Sequence, residues 1–234
     1  MALPKLNTSP KYETVIPSTG KTVRFRPYLV KEEKVLLMAF EANDEKQAMK
    51  AMVDTISACV KDKFQPNSLT TFDVEHMFTR IRSKSVGENA KIGIKCSECG
   101  TQNEVSINLE EIEVTPDESE KVIELTDTIS VEMKYPSFLE MSDYVGKDIS
   151  ESKFAYDTIT SCISAIVTED ERYDASDVSK KEMNEFVEGL TSAQFVKVAD
   201  FLQGMPKMQK QVEFCCTNCQ HENSHTLEGM QSFF

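Results

Sequence analysis

Residues 92–107 read IGIKCSECGTQNEVSI, and residues 212–227 read VEFCCTNCQHENSHTL. The two stretches align without a gap at an offset of 120 residues, and each holds two cysteines separated by two residues. The residues on either side of each pair favour β-strands, which predicts a hairpin with the cysteines at its turn. Two cysteines on a tight turn supply half of the tetrahedral thiolate site that zinc prefers.

The likeness extends upstream of the cysteines. Leu69 and Thr70 align with Leu190 and Thr191, and both pairs precede apolar residues at helical spacing. Residues 54–59 (DTISAC) resemble residues 157–162 (DTITSC), and a weaker match joins residues 23–27 to residues 131–136. The offset at DTISAC is only 103 residues, which indicates an insertion in the second copy. The polar and charged residues 168–186 are the candidate insertion.

We interpret this pattern as a domain duplication, with a first repeat at residues 1–114 and a second repeat at residues 115–234. A period near 120 residues is far longer than that of solenoid repeats. The alternative is a pair of unrelated helix-plus-knuckle modules on one chain. The predicted fold class is α+β, with two helix-rich lobes that each end in a zinc-knuckle β-hairpin.

Each repeat is predicted to open with two short strands and to continue with helices. The strands are expected at residues 12–16 and 22–26, and again at residues 121–125 and 128–134. Asn43 is the predicted N-cap of the second helix, and capping boxes are predicted at Thr191 with Gln194 and at Ser179 with Glu182. The predicted helices span or begin at residues 30–42, Asn43, Thr70, residues 155–166, Ser179 and Thr191.

Composition restricts the class of partner. The 234 residues include 26 basic and 39 acidic side chains, so the net charge is −13. A surface of that sign repels nucleic-acid phosphates and anionic membranes, and we expect neither as a partner. The sequence shows no apolar run near the ~18 residues of a membrane helix and no secretory signal at its start. We therefore expect a reducing cytoplasm, where cysteines serve as metal ligands rather than disulfides.

Four of the seven cysteines form the candidate metal site. A duplication that brings two CxxC turns together predicts one structural zinc shared by both repeats. Such an ion would clamp the copies together and compensate for the small core of each lobe. The predicted ligands are Cys96, Cys99, Cys216 and Cys219.

Other interpretations of these cysteines remain open. A thioredoxin-like redox pair requires a CxxC that opens a helix, whereas strands flank both pairs here. A catalytic zinc keeps an open position, and His221, His225 or Cys215 lies close enough in sequence to replace a ligand. The cysteines are also compatible with a site that has lost its metal. The remaining two, Cys59 and Cys162, lie on apolar helix faces and are expected to be buried.

No catalytic arrangement is apparent in the sequence. The chain has only three histidines, its carboxylates are scattered, and no Ser-His-Asp or Cys-His set can be assembled. We therefore expect an interaction or assembly protein that is not an enzyme. Arginine and aromatic residues at 24–30 and 230–234 are candidate anchors for a partner. The alternative is that Phe25 and Leu29 belong to the core and that the final phenylalanines pack back or fray.

The segment IPSTGKTVRFRPYLVKEEKVLL at residues 16–37, followed by AFEA at residues 39–42, resembles a family from T-even-type contractile-tailed phages. Members of that family are baseplate hub subunits or hub-assembly chaperones. The resemblance implies a late role in building the hub beneath the tail tube, with other phage baseplate hub proteins as partners. It also implies a location in the host cytoplasm during assembly or in the virion baseplate. The family contributes no catalytic residues.

Two further functions remain as alternatives. Paired CxxC turns are common in zinc-ribbon transcription factors and nucleic-acid-associated proteins, and Lys91, Lys95, Lys207 and Lys210 lie near the turns. Neighbouring glutamates offset those lysines. The second alternative is a metal-dependent hydrolase, which requires an open position on the zinc. A cobalt-substituted protein with four thiolate ligands and no bound water would exclude it.

Overall fold

The computed structural model describes residues 10–42 and 44–232. The helices within these ranges are α1 (Val30–Glu41), α2 (Glu45–Cys59), α3 (Thr71–Val86), α4 (Phe138–Ser142), α5 (Glu151–Cys162), α6 (Lys180–Glu188) and α7 (Ser192–Gln203). The strands are β1 (Tyr12–Ile16), β2 (Lys21–Phe25), β3 (Asn89–Lys95), β4 (Gln102–Asn108), β5 (Glu113–Val114), β6 (Val122–Glu124), β7 (Ile129–Met133), β8 (Ile163–Thr168), β9 (Arg172–Asp174), β10 (Met208–Cys215) and β11 (Glu222–Glu228). All strand pairs in the described ranges are antiparallel, so the predicted mixture of helices and sheets is confirmed.

The chain divides into two compact units. The first runs to Thr115 and resumes at Lys207, and the second comprises Pro116–Pro206. These units differ from the predicted repeats at residues 1–114 and 115–234, because the last hairpin, β10–β11, packs within the first unit. The predicted repeats were defined by sequence similarity, whereas the compact units are defined by packing. The difference in bounds therefore does not test the duplication, which stays a prediction.

The first unit is organised around α3. This helix contacts α2, β1, β5 and β10. Its inward face buries Phe72, Val74, Met77 and Ile81 almost completely, and burial of each such side chain contributes roughly 1.5–3 kcal/mol. The helix therefore links the opening hairpin to the strand that leads to the second cysteine pair.

Local sequence explains where α3 begins. The side chain of Thr70 accepts from the N–H of Asp73, and the Asp73 carboxylate accepts from the N–H of Thr70. Both groups are buried, so this capping box satisfies polar atoms that would otherwise lack partners. Thr191 and Gln194 form the predicted box at the start of α7, and Ser179 and Glu182 form the predicted box at the start of α6.

Both cysteine-bearing hairpins lie in the first unit. In β3–β4, Asn89 pairs with Asn108 at the open end. In β10–β11, Gln209 pairs with Glu228 at the equivalent place, so the two registers match at the sequence offset of 120. Strand β5 pairs with β10 and extends the second hairpin to three strands.

The second unit contains a four-stranded sheet in the order β6-β7-β8-β9. Helices α5, α6 and α7 supply buried side chains to its core, which includes Val131, Ile159, Met183, Val198 and Phe201. The candidate insertion, residues 168–186, spans β9 and most of α6, and its predicted short helix is confirmed.

The predicted helical stripe at residues 155–166 is wrong at its end, because α5 ends at Cys162 and Ile163 and Ile166 lie in β8. The β-branched run and the pairing of Ile163 with Met133 favour the strand over continued helix. Asn43 lies outside the described residues, and Asp44 is the N-cap of α2, its side chain accepting from the N–H of Gln47 at 3.0 Å.

Within residues 10–42 and 44–232, no helix combines the length and the apolar character needed to cross a bilayer.

Candidate metal centre

Each cysteine pair lies at the turn of its hairpin. In β3–β4 the N–H of Cys96 donates to the carbonyl of Thr101 (2.9 Å), and the N–H of Gly100 donates to the carbonyl of Cys96 (3.0 Å). The two equivalent bonds in β10–β11 have the same lengths. The turns are therefore copies of each other in backbone geometry.

A left-handed residue closes each turn. Gly100 has φ +71°, and Gln220 at the equivalent position has φ +63°. Gln220 is the one non-glycine residue with positive φ in the described ranges. The second hairpin thus keeps the conformation of the first despite a side chain that disfavours it.

The structure brings the four predicted cysteines together. Their Sγ atoms all lie within 4.8 Å of one another. Two of the separations join the hairpins: Cys96 Sγ is 3.6 Å from Cys219 Sγ, and Cys99 Sγ is 3.6 Å from Cys216 Sγ. The prediction that the two CxxC pairs meet is confirmed.

The spacing of the sulfurs fits a tetrahedral metal. Zinc–thiolate bonds of about 2.3 Å in a regular tetrahedron separate neighbouring sulfurs by about 3.8 Å. The two separations of 3.6 Å between the hairpins are close to that value, and no pair of these sulfurs is more than 4.8 Å apart. They are far longer than the ~2.05 Å of a disulfide. All four thiols are free, so the donor set is one that soft metals prefer.

The thiols at equivalent positions have equivalent environments. Cys96 and Cys216 are buried, whereas Cys99 and Cys219 are exposed. Each hairpin therefore contributes one inner and one outer sulfur.

Hydrogen bonds within the cluster shift the pKa values of the thiols. Hydrogen bonding with Thr101 lowers the pKa of Cys99 to about 5. The N–H of Cys99 lowers the pKa of Cys96. The N–H of His221 favours the Cys219 thiolate, but hydrogen bonds with neighbouring thiols, chiefly Cys99, and partial desolvation raise the pKa of Cys219 to about 12. Thiolates this close repel, so four of them coexist only beside a cation.

The nearby residues that were considered as replacement ligands do not join the group. The Cys215 thiol donates to the carbonyl of Gln220 at 3.4 Å, and His221 is exposed. The His225 ring stacks on Phe214 with centroids 5.8 Å apart, and its buried Nε2 has no hydrogen-bond partner among the described residues.

The remaining cysteines also behave as expected. Cys59 and Cys162 are fully buried, each in a different unit, and burial raises the pKa of both thiols.

Asn103 and Asn223, which occupy equivalent positions in the two aligned stretches, lie beside the buried sulfurs, and no role was predicted for them. Asn103 Oδ1 accepts from the N–H and the hydroxyl of Thr217, both at 2.9 Å. Asn223 Oδ1 accepts from the N–H and the hydroxyl of Ser97, at 2.9 and 3.0 Å. Their shared position, four residues after the second cysteine, was the available signal.

The protein is thus built of helices and antiparallel hairpins, and two similar turns place four thiols around one point. A family model described as T4 bacteriophage base plate protein matches residues 9–234. The chain therefore belongs to this family of viral baseplate and tail-assembly proteins, and the predicted resemblance is confirmed.

One curated relative is the baseplate hub assembly protein gp26 of Enterobacteria phage T4. It is 24% identical over 216 residues, which cover 92% of this chain and 93% of the relative. No solved structure matches the chain.

Proposed function

We propose that this protein is a non-enzymatic component or assembly chaperone of a phage baseplate hub, stabilised by one structural zinc. The observation that carries the proposal is the alignment with a hub assembly protein over nearly the full length of both chains. Membership of the baseplate family implies a place at the virion baseplate. We extend this to assembly in the host cytoplasm, with other baseplate hub proteins as partners.

The zinc part of the proposal rests on the donor set. Four thiolates complete a tetrahedron, which is typical of structural sites and leaves no position for a substrate. Bound zinc supplies charge neutralisation and a crosslink between β3–β4 and β10–β11. Folding and metal binding are then coupled, because the unfolded chain separates the two cysteine pairs by more than a hundred residues.

Several backbone features support the proposed duplication. The N–H of Arg26 donates to the carbonyl of Cys59 at 3.1 Å, and the N–H of Lys134 donates to the carbonyl of Cys162 at 2.7 Å. The sequence alignment pairs the two donors, Arg26 and Lys134, and also the two acceptors, Cys59 and Cys162. The same hydrogen bond therefore occurs at equivalent positions of the two proposed repeats. Matching hairpin registers and matching capping boxes point the same way.

Helix α1 provides the surface that we propose for hub partners. Leu36 is buried, but the apolar side chains on the other sides of the helix remain exposed. This extends the partner anchor predicted at residues 24–30, where Phe25 proves to be core and Arg24 and Arg26 form ion pairs within the chain. The exposed residues are Leu29, Val30, Val35, Leu37, Met38 and Phe40.

Co-purification tests the assembly role. We expect the tagged protein, expressed in infected cells, to capture other baseplate hub proteins, and Leu37→Glu to weaken that capture. Val196→Glu is the matched control, because Val196 is as exposed as Leu37, at 55%, but lies on α7 in the other compact unit. Absence of hub proteins with the folded wild type would contradict the proposed function. Equal capture by both variants would contradict the proposed surface.

Metal analysis tests the zinc. We expect one zinc per chain in the wild type, loss of zinc in Cys216→Ser, and retention in Cys215→Ser. The two cysteines are adjacent in sequence, but only Cys216 belongs to the sulfur cluster. Wild-type protein purified without chelators and free of zinc would contradict this part of the proposal.

Two of the four lysines named for the nucleic-acid alternative form ion pairs with glutamates. Lys91 Nζ lies 2.7 Å from Glu104, and Lys210 Nζ lies 2.9 Å from Glu111. Both charges are therefore balanced locally. A DNA mobility shift that weakens with added salt would favour this alternative.

A further inference from the structure

Asn103 and Asn223 reach across the site in reciprocal fashion. Asn103 lies on β4, and its amide oxygen binds the residue after the first cysteine of the other hairpin, Thr217. Asn223 lies on β11 and makes the same pair of bonds to Ser97. The amide oxygen of each asparagine therefore binds the turn of the opposite hairpin.

The amide nitrogens face the buried sulfurs. Asn103 Nδ2 lies 3.7 Å from Cys216 Sγ, and Asn223 Nδ2 lies 3.5 Å from Cys96 Sγ. Each nitrogen also donates to a carbonyl of its own hairpin, that of Thr101 at 2.8 Å or His221 at 3.0 Å. Both side chains are nearly inaccessible, at 3% and 4% exposure.

This arrangement uses both ends of an amide. A buried side chain with an acceptor and two donors matches the groups around it, and an asparagine satisfies all of them. A carboxylate would keep the acceptor but would remove the N–H donors and place a negative charge beside the thiolates. An apolar residue would leave the N–H groups of Ser97 and Thr217 without their partners.

We propose that Asn103 and Asn223 are positioning residues that set the metal affinity of the four-cysteine site. The inference rests on the proposed zinc. The oxygen of each amide holds the two turns in register, and the nitrogen stabilises the inner sulfur of the opposite hairpin. Partners that orient and polarise metal ligands in this way typically contribute about 10–100-fold to metal affinity.

Isosteric substitution separates the two contributions. Asn103→Asp and Asn223→Asp keep the oxygen that binds Thr217 or Ser97 and lose the donors to sulfur. We expect each variant to bind zinc at least about 10-fold more weakly in competition with a chromophoric chelator. We also expect the sulfur-to-cobalt charge-transfer band to shift in the cobalt-substituted variants, which a purely structural role would not produce.

The control is Asn89→Asp, which makes the same charge change on an exposed residue at the open end of the first hairpin. It should leave zinc affinity and the cobalt spectrum unchanged. Saturating zinc should restore wild-type circular dichroism to both site variants, which separates weak binding from a failure to fold.

Three outcomes would overturn the inference. Unchanged affinity and spectra in the folded Asp variants would leave the zinc proposal intact and remove the role of the asparagines. Variants that stay unfolded at saturating zinc would show a packing role only. Wild-type protein that binds neither zinc nor cobalt would contradict the zinc proposal and this inference together.

Discussion

At the scale of single residues, the second cysteine turn carries strain that the first one avoids. Gly100 adopts positive φ without cost, because it has no Cβ. Gln220 adopts nearly the same conformation with a full side chain. Only backbone atoms of Gln220 bind within the turn, through its N–H to Cys216 and its carbonyl to Cys215.

Gln220→Gly should therefore stabilise the protein. Relief of the left-handed strain is worth about 1 kcal/mol, and the turn keeps all its hydrogen bonds. Urea denaturation at saturating zinc measures the change. Gly100→Gln is the matched control and should destabilise by a similar amount. Destabilisation by Gln220→Gly would show that its side chain supports the turn.

A half-buried histidine, His76, makes stability depend on pH. Burial lowers the pKa of His76 to about 4, and the charge of Arg80 acts in the same direction. The folded protein thus keeps His76 neutral while the unfolded chain protonates it near pH ~6.5. Since the unfolded state binds the extra proton, stability is lost as pH falls from about 6.5 to about 4.

His76→Gln should flatten this dependence, because the variant has no titrating ring at that position. The urea midpoint, followed between about pH 6.5 and about pH 4, should fall less steeply than in the wild type. Thr14→Val removes the 3.1 Å contact between Thr14 Oγ1 and His76 Nε2 but keeps the ring, so it should retain the wild-type slope. Identical slopes for His76→Gln and the wild type would count against this assignment.

At the scale of elements, a hydrogen bond joins residues close to the two ends of the second unit, near the points where the chain enters and leaves it. The N–H of Glu118 donates to the carbonyl of Gly204 at 3.3 Å, just after α7 ends. A Cβ on Gly204 would lie 2.9 Å from the backbone of Ser119. The contact is against backbone, which cannot move aside as a flexible side chain can.

Gly204→Ala should destabilise the second unit by about 1–3 kcal/mol through this overlap. Gly189→Ala is the matched control, since Gly189 caps α6 with nearly the same φ, ψ and its nearest contact is 3.3 Å. Its cost should be clearly smaller, as judged by urea denaturation. Equal losses of stability in the two variants would show that the close contact with the Ser119 backbone does not add to the cost of Gly204→Ala.

At the scale of the whole molecule, the two compact units should respond differently to metal removal. The four thiols lie entirely within the first unit, and the core of the second contains none of them. Chelation should therefore lower hydrogen-exchange protection in β3–β4 and β10–β11 while β7 and β8 keep theirs. Equal loss of protection in both units, or none in either, would contradict a zinc clamp confined to the first.

Much of the fold and of the site could be predicted from short-range patterns. Capping residues at Thr70, Ser179 and Thr191 marked the starts of helices, because they satisfy backbone N–H groups within three residues. The CxxC turns and their strands were apparent for a similar local reason. The end of α5 at Cys162 could not be predicted in this way, because Ile163 and Ile166 suit either a helix or a strand. Their pairing with β7 decides for the strand.

Residue identity and spacing were enough to predict the paired turns, the four candidate ligands and the resemblance to the baseplate family. The folded chain was needed to establish that the second hairpin packs in the first unit, that the sulfurs meet within 4.8 Å, and that Asn103 and Asn223 bind across the site. Those facts depend on contacts between residues more than a hundred positions apart, which no local pattern records.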